Sequence, residues 1–370
     1  MAGIPCALMR GGTSKGGVFL AADLPAEPAE RDALLLRVMG SPDVRQIDGL
    51  GGAHPLTSKV AVVSPSADDE ADVDYLFLQV VVDAAVVSGS QTCGNMLAAV
   101  GPFAVLRGLV PATDGVTDVR VRLVNTGALA VLRVQTPGGV VTFAGDTEIT
   151  GVPGTAAPVE IVAVPSATPL LPTGRARQVL AGLEATCIDN GMPSVLVRAA
   201  DLGLAGTEEP AVLEADPALR ARVDAVRAEA AAAMGLSTDL AATTVPKIVL
   251  VSGPKGGGSL TTRSFIPERV HQAIGVLGAA TVAAAVRLPG SVAADVAVAP
   301  AAGEPVRVEH PSGFLDVDAR LGEAGEVLST SVLRTARLIL DGTVYPGPDR
   351  ATSENSQNTQ TSPAGSAPAA

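Results

Sequence analysis

The chain has 370 residues, enough for two domains with a full core in each. Its formal net charge of −12, with two Tyr, six Phe and no Trp, argues against nucleic acid and anionic membranes, which require clustered cations or stacking platforms. A small anion is still an acceptable ligand, because a few local donors outweigh a distant field that salt screens.

Three cysteines, at 6, 93 and 187, form no CxxC and no Cys/His pair at zinc-finger spacing. This predicts no metal site and fits a reducing cytoplasm. The N-terminal stretch lacks a basic region followed by a sustained apolar run. The longest apolar stretch, 273–286, is well short of the roughly 20 residues that span a bilayer. A soluble cytoplasmic protein without nucleic-acid or membrane partners is the expectation.

In chain order, "MRGGTSKGG" (9–17) reads as a glycine-rich loop leading into a strand, with exposed amides, one hydroxyl on Ser14 and two cations, Arg10 and Lys15. Such a loop suits a carboxylate; an ordinary glycine turn is the alternative. It matches the G-x-S-x-G nucleophile elbow, but the elbow needs a strand before it and a helix after it. Next, "GGAHPLTSKVAVV" (51–63) sets Lys59 at the mouth of a strand, in a chain with four lysines against twenty-two arginines. A partly buried ammonium loses its proton more readily and becomes a usable base, which arginine does not. A lysine that merely snorkels to the surface is the other reading.

A strand over 74–83 precedes "QTCGNMLAAVG", in which Cys93 starts a helix (94–110) that is apolar on nearly every face and so buried all round. Free amides and the positive dipole end collect at such a start, favouring an anion and a more acidic thiol. A structural cysteine in a tight helix start is the alternative. Strands follow at 119–124 and 129–136 as a hairpin, then at 139–145 and 159–164. After a domain break comes "DNGMPSVLV", with Ser194 at a loop-to-strand entry. A helix over 217–235 carries charges at surface spacing.

Beyond a strand at 247–253, "GPKGGGS" (253–259) lacks the GK-[ST] of a P-loop. A second helix that is apolar all round runs over 270–288, opened by His271 as Cys93 opens the first. Strands at 305–310, 314–321 and 331–340 finish the set, with His310, Ser312 and Gly313 in a turn between two of them. Strands in runs exclude an alternating parallel sheet and predict an α+β fold: two strand-built shells, each around a central helix. The expected organisation is 1–182, completed by a strand at about 328–346, then 183–327, then a polar disordered tail over 347–370.

Together "MRGGTSKGG", "MGSPDVRQIDGLGGAHPLTSKVAVV", "CGNMLAAVGPFA", "DNGMPSVLV" and "HPSG" resemble the PrpF-like isomerases over about residues 5–345. The resemblance implies the diaminopimelate-epimerase fold, with two pseudo-symmetric domains and a site in the cleft between them. It also implies catalysis without metal or nucleotide. Within the family, "GGAHPLTSKV" is closer to the 4-oxalomesaconate tautomerases (Δ-isomerases) of aromatic-acid breakdown than to the 2-methylaconitate isomerases of propionate metabolism. The family's catalytic lysine and cysteine fall on Lys59 and Cys93. Its carboxylate-binding elements fall on Arg10, Ser14, Lys15, Gly94, Asn95, Ser194, His310, Ser312 and Gly313.

Two departures stand out: Thr92 where the family usually has Asn, and His271-Gln272 where the epimerases of this fold carry a second cysteine at the start of the second helix. The expected chemistry is therefore a 1,3-proton shift on an unsaturated polycarboxylate, not a two-thiol racemisation. A homodimer is a further possibility. A serine hydrolase using Ser14 and a non-catalytic carboxylate binder are the competing classes.

Overall fold

The computed structural model describes residues 3–348 except 165–168, 242, 267–268, 302 and 324. The polar stretch assigned to a tail therefore lies almost wholly outside the described residues.

The first half of the chain runs β1 (Ile4–Gly11), β2 (Ser14–Leu20), α1 (Pro28–Met39), β3 (Lys59–Pro65), β4 (Val73–Val80), β5 (Val87–Ser88), α2 (Gly94–Leu106), β6 (Gly115–Leu123), β7 (Leu129–Thr136) and β8 (Pro158–Ala163). The second half runs β9 (Gln178–Leu180), β10 (Leu183–Ile188), β11 (Ser194–Arg198), α3 (Pro210–Glu214), α4 (Pro217–Ala233), β12 (Lys247–Ser252), β13 (Leu260–Ile266), β14 (Arg269–Val270), α5 (Val276–Arg287), α6 (Val292–Val296), β15 (Val306–His310), β16 (Gly313–Leu321) and β17 (Val327–Val344).

Apart from β9, the second set repeats the first. β1–β2 is antiparallel, β2–β3 parallel, β3–β4 antiparallel, β4–β6 parallel, and β6–β7–β8 antiparallel. The same senses recur through β10–β11, β11–β12, β12–β13, β13–β15 and β15–β16–β17. The long β17 also pairs with β8 and β1, joining both halves into one sheet.

Period-2 alternation sorts each strand's side chains between two layers. On β3, Ala61 and Val63 face the core around α2, while Val60 and Val62 face the one around α1. On β12, Val249 and Val251 face α5, while Ile248 and Leu250 face α4. α2 and α5 are buried along almost their whole length, as their uninterrupted apolar sequence requires. α4 lies on the outer side of its sheet, burying Leu219, Val223, Val226 and Ala230. Among the described residues no helix is long and apolar enough to cross a membrane. This is the predicted α+β architecture of two sheet-wrapped helices.

Three expectations are corrected. "MRGGTSKGG" is not a loop: β1 runs to Gly11, only Gly12 and Thr13 turn, and β2 begins at Ser14. Residues 139–145 form no strand; Gly138 and Gly139 turn the chain at positive φ, and Val141 and Phe143 pack on the first core from an irregular segment. The second buried helix does not begin at His271. The chain at 269–270 pairs back on Phe265 and Ile266, the His271 amide donates to the Ser264 carbonyl, and the helix starts after Gly275.

α2 and α5 meet at their starts. A Cβ built on Gly94 would lie 2.6 Å from the Val276 Cβ, and Leu277 belongs to the first half's core. Gly94→Ala is expected to cost about 1–3 kcal/mol through overpacking. Urea unfolding checks this; a variant of wild-type stability would show that the two helices give way freely there.

Candidate active site

Lys59 is set in place by the chain before it. Gly40, at φ 80°, ends α1, and the following loop folds around the buried Gln46. The Gln46 amide donates to the hydroxyls of Ser41 and Ser58, and its oxygen accepts from the Ala53 amide. Ser58 in turn donates to the Val80 carbonyl. Gly49 and Gly51 sit where a Cβ would strike Met39, Gly40 or Gln46 itself. The long glycine-rich motif before Lys59 is thus a clamp on the start of β3.

The lysine is 7% exposed and on the α2 side of its strand by alternation. Its Nζ donates to Gln79 Oε1 at 2.7 Å and lies 5.1 Å from the Phe77 ring centroid. The Gln79 NH2 donates to the carbonyls of Ser58 and Pro55, so its oxygen is the end left for the lysine. Two residues before Phe77 on the same face of β4, the Tyr75 hydroxyl donates to the Cys93 carbonyl. One strand therefore carries both the ring beneath Lys59 and the hydroxyl that holds Cys93.

Cys93 occupies the N-cap of α2 in extended conformation, and its side chain makes no capping bond. The amides of Gly94, Asn95 and Met96 have no acceptor within the helix. The Asn95 side chain is engaged elsewhere: its NH2 donates to the Thr13 hydroxyl at 3.1 Å, and its oxygen sits against Gly12 and the Thr13 amide. It pins the hairpin turn to the helix start. Ser14, on the α2 side of β2, is 2% exposed and its hydroxyl has no partner among the described residues.

Arg10 and Lys15 are directly opposite each other across the hairpin, on the face away from Ser14. The Arg10 Nη1 donates to the Gly12 carbonyl and to both oxygens of Thr335, which commits that nitrogen to the turn. Lys15 Nζ lies beside Gly52 and the loop that precedes Lys59. The structure therefore does not place these two cations with Ser14.

From the second half, His271 is half-buried. Burial and the charges of Lys59, His310 and Lys247 push its pKa down to about 4. His310 is likewise pushed to about 4, by burial, Arg334 and Arg263, against a hydrogen bond from its ring to the Phe314 backbone. The Ser312 hydroxyl is 3.3 Å from His310 Nδ1.

Gly313 has a φ of 143° and packs on Thr150, and Gly151 packs on Thr13. Segment 150–151 thus links the 310–313 turn to the hairpin turn of the first half. Ser194 is fully buried, and its hydroxyl donates to the Met192 carbonyl at 2.9 Å. The N-cap of α5, the position that mirrors Cys93, is Gly275 and not His271-Gln272. The mirror position therefore carries no thiol.

Glycine loop 253–259 holds an anion of its own chain. Glu309 accepts from the amides of Lys255, Gly256 and Gly258 and from the Thr261 hydroxyl. Burial would raise its pKa, but these bonds hold it below the usual carboxylate range. Those four bonds occupy both oxygens of the carboxylate next to His310 in sequence. Among the described residues no three His, Cys, Asp or Glu converge as a metal site requires.

The residues missed from sequence are Gln79, Lys247 and Arg334. Arg334 is 8% exposed and its Nε has no partner among the described residues. Lys247 did leave a signal: "SKVAVV" at 58–63 is echoed by "PKIVLV" at 246–251.

The fold is epimerase-like, with Lys59 at a strand start and Cys93 at the start of a helix that lies against the second buried helix. The PrpF protein family matches residues 1–346, and the chain belongs to that family. It is 54% identical over 346 residues to (4E)-oxalomesaconate Delta-isomerase of Novosphingobium sp. (92% of this chain, 97% of the other). To 4-oxalomesaconate tautomerase of Pseudomonas putida it is 53% identical over 352 residues (94% and 97%). The crystal structure of methylitaconate-delta-isomerase superposes with a TM-score of 0.80 at 35% identity, covering 95% and 96% of the two chains. A hydroxyproline epimerase superposes at 0.56 and 16% identity over 92% of each chain, which shows the shared fold.

The two depressed histidines give a pH signature. Both are neutral in either state above about pH 6.5, whereas between 6.5 and 4 the unfolded chain binds protons that the folded one refuses. Stability is therefore full above that window and falls as pH drops through it. Replacing both His271 and His310 by Gln is expected to flatten that part of the urea-midpoint profile; an unchanged slope would place both rings in water.

Proposed function

We propose that the chain is an isomerase that catalyses a 1,3-proton shift on 4-oxalomesaconate. The observation that carries this is Lys59: its Nζ is fixed on a neutral acceptor, over a ring, in a basic neighbourhood. The names of the two relatives above support the substrate.

The Lys59 Nζ, acting as the uncharged amine, takes a proton from the carbon next to the unsaturated system: a C–H bond breaks, an N–H bond forms and the amine becomes an ammonium. The electron pair spreads into the conjugated carbonyl as a dienolate. The first amides of α2 point at the developing negative charge, and one such preorganised donor is worth about 3 kcal/mol. The proton returns at the far carbon of the allylic system from Lys59 or from Cys93, and the double bond ends one position along. Ser14, Ser194 and the His310–Gly313 turn line the carboxylate positions and fix which hydrogen faces the base. Three free cysteines support a reducing, cytoplasmic setting.

Lys59→Met is expected to lower kcat at least about 100-fold, the usual worth of a positioned base, while its thermal midpoint stays near wild type. Uptake of solvent deuterium into 4-oxalomesaconate, followed by NMR, reads the step directly. A variant that still exchanges at the wild-type rate removes Lys59 as the base. Faster exchange into 2-methylaconitate by the wild-type protein reassigns the substrate.

A further inference from the structure

The internal duplication gives Lys59 a counterpart. Both residues are the first of their strand, β3 and β12, and both strands lie parallel to the second strand of their half, with Lys59 opposite Gly16 and Lys247 opposite Ser194. Alternation aims Lys59 at the α2 side and Lys247 at the α5 side, the same relation to the central helix in each half. The charges of both lysines act on His271, so each amino group lies within electrostatic reach of that one ring.

Their partners differ. Antiparallel pairing sets Gln79 opposite Lys59, where it accepts a hydrogen bond. The pairing of Ile248 with Phe265 sets Ile266 in the corresponding place beside Lys247. An aliphatic side chain accepts nothing. Lys247 is 7% exposed, and its Nζ has no hydrogen-bond partner among the described residues. Arg227, the cation nearest on the outer side, is bound to the carbonyls of Pro246, Leu240 and Thr243. Burial, and then Arg227, pull the Lys247 pKa to about 8. A buried ammonium without an acceptor costs stability, and an incoming carboxylate would supply what is missing.

We propose that Lys247 binds a carboxylate of the substrate from the half of the molecule opposite Lys59, so that the substrate is held between two lysines with different tasks. This rests on the reading of the junction as a polycarboxylate site. Lys247 anchors, and Lys59 moves the proton.

The test uses the full chain with Lys247→Met, Lys247→Gln and Lys247→Arg. Binding of tricarballylate, an unreactive tricarboxylate, is measured by calorimetry and turnover of 4-oxalomesaconate by NMR. Losing one charge-assisted bond is expected to weaken tricarballylate binding and raise KM about 10- to 100-fold, with kcat within a few-fold and partial recovery in the arginine variant. The ligand-free methionine variant is expected to melt at or above the wild-type temperature, because an uncompensated buried charge is gone; a structural lysine would melt lower. Wild-type protein that binds no tricarballylate and turns over no 4-oxalomesaconate overturns the functional reading itself. Wild-type binding with unchanged binding and KM in the methionine and glutamine variants overturns the role of Lys247 alone. A collapse of kcat at unchanged KM also overturns the anchoring role.

Discussion

The first amides of a helix have no carbonyl to bond within it, and α2 and α5 are helices buried along almost their whole length. In this molecule two such helices start at one place, because Gly94 lets α2 lie directly on Val276 of α5. The junction carries two sets of unsatisfied donors and the positive ends of two dipoles. The surrounding polar groups answer to that constraint. His271 sits among Lys59, His310 and Lys247, and Glu309 is drawn off into its own glycine loop. A chain of net charge −12 thereby keeps a cluster of basic groups around His271.

Much of this was legible in the amino-acid order, for stated physical reasons. An uninterrupted apolar run of helix-forming residues has one stable place, inside a sheet, and both central helices were read on that ground. Lys59 and Cys93 were readable because their types are rare and their positions, a strand mouth and a helix start, are marked by glycine and small polar residues. Residue types at element ends were harder. His271 looked like the opening of a helix because a histidine suits an end, but backbone pairing with β13 keeps residues 269–271 extended until Gly275. Arg10 and Lys15 looked like anion ligands because they adjoin glycines; strand alternation, which a loop reading does not apply, turns them to the other face of the hairpin from Ser14.

The duplication explains what escaped. The halves share pairing senses and the order of their elements, yet they diverge at the positions that touch the junction: Gly16 against Ser194, Gln79 against Ile266, Cys93 against Gly275. Backbone register preserves the repeat. A pair such as Lys59 and Lys247 leaves only the short echo of "SKVAVV" in "PKIVLV", and strand register makes it plain.

The closing strand has a consequence for how the protein comes into being. β1 leaves the ribosome long before β17, yet one of its two edges is covered only by residues 336–344 of that strand. The nascent first half must wait with an open sheet edge, the kind of surface on which chains aggregate. Such far-separated pairing also slows collapse to the native topology. Truncation just before β17 would leave both halves unsealed at once, so the eighteen residues of that strand bear on solubility far more than their small share of the core suggests.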